Sequence, residues 1–567
     1  MFRINYLAVI YSPKVNAFAG SGLDKLEMTN TMKKINTMKK YFLVILLSIS
    51  AIAFAQNKNV KQAETSQKLA TTMYLIENFY VDTVDMPKLT EEAIIAMLKS
   101  LDPHSAYIAA KDVKKANEEL EGSFEGIGVT YQILRDTILV VSAVPGGPSE
   151  KVGIMAGDRI VTIDGEDAFG KKINTEYVTS HLRGKKGSKV LLGIKRGDES
   201  ELIDFEVIRD KIPLKSVNSY FMLDKKIGYI KLDRFAKESA AEFEAALADL
   251  KKQGMKSLVF DLRGNGGGYL QTAFQLGNEF LGSNKTVVYT EGLKSPKQIF
   301  DTDKNGNFRD GRLVVLIDEG SASASEIVSG AIQDWDRGVL IGRRSFGKGL
   351  VQRPFNLPDG AQIRLTTARY YTPTGRCIQR SYEDGSEEYF KDLTKRLEHG
   401  EYYHADSIHF PDSLKYYTLR SGRTVYGGGG IMPDIFMPVD TIYSTKLFND
   451  LIRKNVFNSY CIDYVLANRD KINEKYKDFK AFNKKFEVDD VMIEEFKKMA
   501  ESKDVKWNEE QFERSADWIR LRIKGMIAQD VWNIDKFYQV VMREDKVVQK
   551  AVEVINSKKE YDKILGK

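Results

Sequence analysis

Between about residues 212 and 380, short apolar-rich runs alternate with longer amphipathic ones, and nothing else in the chain restricts its fold as tightly. Ile227–Leu232, Leu258–Leu262, Leu313–Ile317 and Val339–Ile341 read as buried strands, with Ser239–Lys252, Tyr269–Leu281 and Ser323–Trp335 as helices between them. Such alternation predicts an α/β layer with a mostly parallel sheet. On either side the pattern changes. Residues 58–120 are helical in periodicity, with Leu69, Met73, Ile76 and Tyr80 on one face, although Asp102-Pro103-His104-Ser105 interrupts it. From about Gly122 to Arg209, β-rich runs such as Ile138–Val141, Arg159–Ile163 and Lys189–Lys195 stand between glycine turns. After Pro438 there is no proline and almost no glycine. Ile519, Ile523, Met526 and Ile527 share a face there, so 445–567 reads as a helical domain.

At 567 residues the chain is too long for one core, so three or four domains are expected. With 43% hydrophobic residues, 29% charged and 13 prolines, it is a folded, largely soluble protein rather than a disordered, collagen-like or multi-span one. Two cysteines, Cys377 and Cys461, exclude a disulfide scaffold and a cysteine-rich zinc module. The five histidines are scattered without an H-E-x-x-H, and no metal or other cofactor is expected. The net charge is +6, of which Met1–Ala55 supplies +5 (seven Lys/Arg against two Asp/Glu), so no nucleic-acid partner is expected. That basic stretch resolves into an upstream extension, Met1–Thr37, and a signal peptide starting at Met38. Lys39-Lys40 is its n-region, Tyr41–Ala55 its apolar core and Ala53-Phe54-Ala55 its cleavage site. The 15-residue run is short of the ~20 that span a bilayer. The expected location is therefore outside the cytoplasm, in the periplasm or cell envelope, with membrane association only if the segment stays uncleaved. No cysteine follows the run, which excludes a lipoprotein.

Several motifs fail on a single residue. Gly342–Lys348 matches G-x-x-x-x-G-K, but Gly349 stands where a P-loop needs Ser or Thr for Mg²⁺. Asp301–Gly306 opens like an EF-hand loop, yet position twelve is Arg312 in place of the bidentate Glu, so a polar turn is expected. His404 and His409 read as solvated loop residues. Gly320-Ser321-Ala322-Ser323-Ala324-Ser325-Glu326, following the strand Leu313–Ile317, would expose a serine at a helix start, where N–H groups and the helix dipole favour an oxyanion. Ser323-x-x-Glu326 is equally a capping box, which would make Ser323 a structural cap. A serine nucleophile needs a base, and the α/β segment has no histidine; Lys348 is the candidate in a loop setting. Its pKa must fall from about 10.4 toward about 8 before enough neutral amine exists, which demands desolvation. Ser345-x-x-Lys348 matches the S-x-x-K of penicillin-binding proteins, but S-D-N and K-T-G are absent, so Ser323 is preferred.

Asp261-Leu262-Arg263-Gly264-Asn265-Gly266-Gly267-Gly268, Gly320–Glu326 and Phe346-Gly347-Lys348-Gly349-Leu350-Val351-Gln352 together resemble the carboxy-terminal processing peptidases, or tail-specific proteases. The 25 residues from Ser323 to Lys348 match the family spacing, and Leu101–Tyr107 and Gly429–Asp434 match flanking motifs. The resemblance implies Ser323 as nucleophile, Lys348 as base and Gln352 holding the lysine. It further implies an oxyanion hole from Gly267 and Ala324, and an auxiliary acidic residue at Asp334. Asp334 is eleven residues from Ser323, ~16 Å along a helix, too far for contact. Glu326 is one turn away and could also be auxiliary. Gly126-Ile127-Gly128-Val129 resembles a PDZ carboxylate-binding loop, where free N–H groups hold a C-terminal carboxylate while the peptide adds as a strand.

The expected fold is thus multidomain α+β. Residues 1–55 are extension and signal peptide, 56–120 a helical N-terminal region, 121–209 a PDZ β-domain and 210–440 an α/β serine protease core. An aromatic, charged insertion at 380–426 and a helical C-terminal domain at 445–567 depart from the simplest family members. The resemblance implies protein or peptide C-termini as substrates, and leaves room for an adaptor protein and a homodimer. A silent PDZ-type binding protein and an acyl enzyme using Ser345 are the rivals.

Overall fold

The computed structural model describes residues 63–567 except Arg135, Asp198, Ser200, Lys304 and Ile442; the signal segment expected at 38–55 lies outside the described residues. The chain divides into two units at Ala93/Ile94. In the first, residues 63–79 are helical, and the helix Met86–Lys99 begins. Leu69 and Tyr80 are exposed there, and Tyr80 lies beyond the helix end.

The second unit is built around a six-stranded sheet in the order Val217–Met222, Ile227–Leu232, Ser257–Asp261, Leu313–Ile317, Val339–Gly342 and Ile435–Phe436. All pairings are parallel except the first, which is antiparallel. Every residue of the four central strands is buried, which is why they read as apolar runs without alternation. Helices Ser239–Lys252, Leu270–Phe280 and Ala324–Asp334 cover one face, packing Phe243, Phe280, Val328 and Ile332 against Phe260 and Val315.

The other face is closed from the far end of the sequence. Helices from Lys446 to Val541 form a bundle with its own core, including Phe457, Phe482, Phe496, Ile519 and Ile523. The last two, Lys546–Asn556 and Lys558–Ile564, instead lay Val548, Val554, Ile555 and Tyr561 on Tyr229, Val259, Leu316 and Ile341. The helical region expected at 445–567 therefore serves two cores. An amphipathic face looks the same in sequence whichever core it joins.

A second, antiparallel sheet went unforeseen. Gln362–Tyr371 pairs with Leu350–Asn356, Ala106–Ile108 and Thr286–Gly292, the last of which pairs with Ser295–Asp301. The strand Ala106–Ile108 interrupts the helical reading of 58–120. Between Arg380 and Tyr426, a helix Ser386–Glu398 and a small hairpin, Lys415–Tyr417 with Thr424–Tyr426, fold back on the core. The β-domain after Gly122 is a sheet ordered Val129–Leu134, Thr137–Ala143, Arg159–Ile163, Lys189–Lys195, Ile203–Ile208 around Ile138, Ile160, Val178 and Leu192.

Candidate active site

Leaving the strand Leu313–Ile317, the chain must reverse sharply to start the helix Ala324–Asp334. Asp318 Oδ1 fixes the turn by accepting the N–H groups of Gly264 (2.8 Å) and Gly320 (3.0 Å). Ser323 emerges at φ 54°, ψ −112°, whereas a capping serine sits in the extended region. A non-glycine residue held there costs on the order of 1–3 kcal/mol and is sustained by its surroundings. The expected capping box is nonetheless present, with the Ser323 N–H donating to Glu326 Oε2 at 2.8 Å. The Ala324 N–H, at the first helical position, has no partner among the described residues.

Facing this turn is the glycine run. Gly267 (φ 101°) passes so close that a Cβ on it would stand 2.9 Å from Ala324 N and from Ser323 Cβ. Its N–H, however, donates to Asn265 Oδ1 at 2.9 Å, so Gly267 is not the free oxyanion donor the resemblance implied. Gly266 and Gly268 line the cleft instead, and their N–H groups have no partner among the described residues. Asn265, fully buried with its Nδ2 donating to Leu232 O (2.9 Å), organises this turn and was missed in the sequence.

Lys348 sits in the loop joining Val339–Gly342 to Leu350–Asn356. It shares with Ser323 a cleft of about 310 Å³ that Gly266, Gly268, Ile327, Leu350, Gln352 and Tyr370 also line. Burial pushes the Lys348 ammonium below its ordinary pKa, opposed by the charge of Glu326 and assisted by Arg364. Among the described residues no carboxylate lies within ion-pair distance of it. Glu326, wholly buried, accepts the N–H groups of Gly347 (2.7 Å) and Lys348 (2.9 Å) and the Ser345 hydroxyl (2.5 Å). Burial raises its pKa despite those donors. One carboxylate thus ties the serine turn to the lysine loop without touching the ammonium. Tyr370 adds a second tie, its hydroxyl bonding to the Ser323 carbonyl (3.1 Å) and to that of Lys348.

Gln352 lines the same cleft, but its amide donates to Thr366 Oγ1 (3.1 Å), and no hydrogen bond joins it to Lys348. Thr366 in turn donates to Asp102 Oδ1 (3.0 Å), which also accepts the N–H groups of His104 (2.8 Å) and Ser105 (2.9 Å). Asp102-Pro103-His104-Ser105, which in sequence broke a helix and lay within a flanking family motif, is a buttress of the cleft. His104 is pushed down to about 4, by burial first and then by the Lys348 charge.

Asp334 ends the helix that Ser323 begins and takes no part in the cleft. Fully buried, it pairs with Arg376 at 2.7 Å and accepts Thr374 N (3.0 Å) and Oγ1 (2.8 Å). Ser345 is wholly buried, donating to Glu326 and accepting Ile431 N–H at 2.6 Å, so its hydroxyl is unavailable for attack. A strand, not a helix, follows Gly342–Lys348, which removes the phosphate-loop reading. Asp301 and Asp303 accept from Thr286 Oγ1 (2.6 Å) and Asn278 Nδ2 (3.0 Å), and His404 and His409 are exposed.

In the β-domain, Gly126 ends a strand paired to Asp210–Pro213, Ile127 is buried, and Gly128 turns at φ 75° into the strand beginning at Val129. The carbonyls of Ile127 and Gly128 are taken by Ser149 N (3.0 Å) and Val144 N (2.8 Å), while their N–H groups have no partner among the described residues. Val129–Leu134 is the edge of its sheet, open to an added strand.

Family profiles match the chain in sequence: the activating protease CtpB N-terminal domain at 29–112, a PDZ domain at 126–207, Peptidase family S41 at 226–385, and a family of unknown function at 447–533. The carboxy-terminal-processing protease of Bartonella bacilliformis is 37% identical over 344 residues, 59% of this chain and 78% of that protein. Carboxy-terminal processing protease CtpB of Bacillus subtilis is 35% identical over 338 residues, 58% of this chain and 69% of that one. Among solved structures, a photosystem II D1 C-terminal processing protease is 25% identical, with 66% of this chain and 93% of that one covered at a TM-score of 0.34. The family profiles and the two curated relatives define a serine-type peptidase carrying a PDZ domain, acting on peptides or proteins. The chain belongs to the carboxy-terminal-processing protease family.

Proposed function

We propose that this is an exported endopeptidase in which Ser323 Oγ attacks the scissile carbonyl while Lys348 Nζ accepts its proton and later delivers it to the leaving amine. The oxyanion would meet the Ala324 N–H and the free N–H groups of the Gly266–Gly268 turn, beside the positive end of the helix. Gln352 acts at one remove, lining the cleft and linked through Thr366 to Asp102. Tail recognition falls to the Gly126–Val129 loop. Export rests on the Lys39–Ala55 pattern alone. The observation that carries the reading is one cleft holding a strained serine at a helix start and a half-buried lysine with no paired carboxylate among the described residues.

The decisive experiment incubates the purified chain and its Ser323→Ala variant with peptides ending in a free carboxylate. Cleavage by the first and capture of intact peptide by the second are expected, with mass spectrometry identifying trapped proteins. An active Ser323→Ala enzyme removes the nucleophile, and absence of cleavage by the wild type leaves a binding protein. Labelling of Ser345 by a fluorescent β-lactam would restore the acyl-enzyme rival.

A further inference from the structure

We propose that the segment Arg380–Tyr426 is a brace for the lysine loop, and that Arg396 is the residue through which it positions Lys348. The proposal rests on the serine–lysine reading above. Arg396, in the last turn of the helix Ser386–Glu398, is 2% exposed. Its Nη1 donates to Ser345 O (2.8 Å) and its Nη2 to Phe346 O (3.2 Å), with Asp392, one turn back, as its counter-ion. The next carbonyl, Gly347 O, accepts the Arg380 N–H at 3.1 Å. Three consecutive carbonyls leading to Lys348 are therefore held by two arginines of one inserted segment. The Arg380 guanidinium lies 4.1 Å from the Phe346 ring and 4.0 Å from that of Tyr389, filling the space behind the loop. Tyr389 shares a hydrogen bond with His104 Nε2 (2.9 Å), closing the brace onto the buttress beside Lys348. Glu401 pairs with Arg344 at the start of the loop.

Burying a guanidinium on neutral carbonyls costs desolvation that such bonds only partly return. What the arrangement achieves is a loop whose carbonyl oxygens at 345, 346 and 347 are already occupied by donors. A free carbonyl, or the water that follows a loosened loop, would solvate the Lys348 ammonium and restore its ordinary pKa. A neutral base survives here only while both are kept out.

The test compares the pH dependence of kcat/KM for the full chain and for Arg396→Met, Arg396→Lys and Lys395→Ala on one tail peptide. Lys395, on the same helix, is exposed and ion-paired to Glu388. Arg396→Met keeps the buried stem and loses both donors. The limb along which its kcat/KM rises with pH, set by deprotonation of Lys348, should move to higher pH, with about a ten-fold loss of neutral-pH kcat/KM per unit moved and rates converging with wild type at high pH. Arg396→Lys, able to reach one carbonyl, should move less, and Lys395→Ala should not move. A limb that stays in place in a folded Arg396→Met enzyme overturns the brace, whatever its plateau. If Arg396→Met does not fold, an unmoved limb in Arg396→Lys has the same force. A flat wild-type profile would instead remove the serine–lysine reading, and the brace with it.

Discussion

Ser323 keeps a positive φ because its backbone is held on both sides: Glu326 holds its N–H and Tyr370 its carbonyl, while Gly267 packs against the turn too closely to carry a side chain. Ser323→Ala should therefore abolish cleavage, read as loss of product from a tail peptide, while tail binding persists. Ser345→Ala, although Ser345 is not the proposed nucleophile, should itself slow cleavage, since it removes a donor to Glu326 and the acceptor of Ile431 N–H. Lys348 carries a stability signature as well as a kinetic one. With its native pKa lowered by burial, the unfolded chain binds more protons between the native pKa and about 10.4, so stability rises with pH across that window. Lys348→Met should raise the denaturation midpoint at neutral pH, with the gain fading as pH approaches about 10. A gain independent of pH would mean that the lysine is not desolvated. Lys348→Arg should be inactive at every working pH, because guanidinium stays charged.

At the scale of elements, the helix Ala324–Asp334 has chemistry at its first turn and ballast at its last. Asp334 and Arg376 are both fully buried, so Arg376→Met leaves a buried carboxylate without its counter-charge. The expected loss is about 3–5 kcal/mol in urea denaturation, while the folded fraction keeps the wild-type pH limb. A shifted limb would return Asp334 to the catalytic chain. The edge strand Val129–Leu134 and the free N–H groups of Ile127 and Gly128 set the tail-binding prediction. Amidating a peptide's C-terminus should weaken binding about ten-fold or more, since a charge-assisted hydrogen bond contributes about 1.5–3 kcal/mol. Equal affinity for acid and amide would remove this role. The same scale explains what could be read ahead of the structure. Leu313–Ile317 and Ser239–Lys252 were legible to the residue, because a strand buried on both sides leaves a short unbroken apolar run and an amphipathic helix repeats every ~3.6 residues. Leu350–Asn356 and Gln362–Tyr371 were not, because neither is uniformly buried and, although they pair with each other, the strands Ala106–Ile108 and Thr286–Gly292 that also join Gln362–Tyr371 lie far away in sequence. With them went the link from Gln352 through Thr366 to Asp102, a contact across 264 residues that no local pattern encodes. Ser323, Lys348 and Glu326 could be singled out as candidates because their loops carry their own signatures. Which glycine leaves its N–H free was not, since that turns on where the Asn265 side chain points.

For the molecule as a whole, the central sheet is completed only by the end of the chain. Val548, Val554, Ile555, Tyr561 and Leu565 lie on a face formed by Tyr229, Val259, Val314, Leu316 and Ile341, and Tyr561 bonds to both the N–H (3.0 Å) and the carbonyl (3.1 Å) of Leu313. Fully burying one such side chain contributes about 1.5–3 kcal/mol. Five of them are together on the order of 10 kcal/mol, comparable to the about 5–15 kcal/mol that separates a folded domain from its unfolded state. This closure also reaches the active site. Asp545 caps the helix Lys546–Asn556 by accepting Val547 and Val548 N–H, each at 2.9 Å, and pairs at 3.0 Å with Arg263, next to the first glycine of the run. Removing residues 546–567 should therefore yield an insoluble chain, because the uncovered sheet face is a contiguous apolar patch. The milder Asp545→Ala should stay soluble and lose about 0.5–2 kcal/mol with the cap. It should also lower kcat more than it raises KM, since Arg263 would no longer be held from this side and the oxyanion donors of the glycine turn act on the transition state rather than on the bound peptide. Soluble yield, denaturant midpoints and the split between kcat and KM are the measurements. A soluble, cooperatively unfolding and active chain lacking 546–567 would show that the sheet needs no cover from this end.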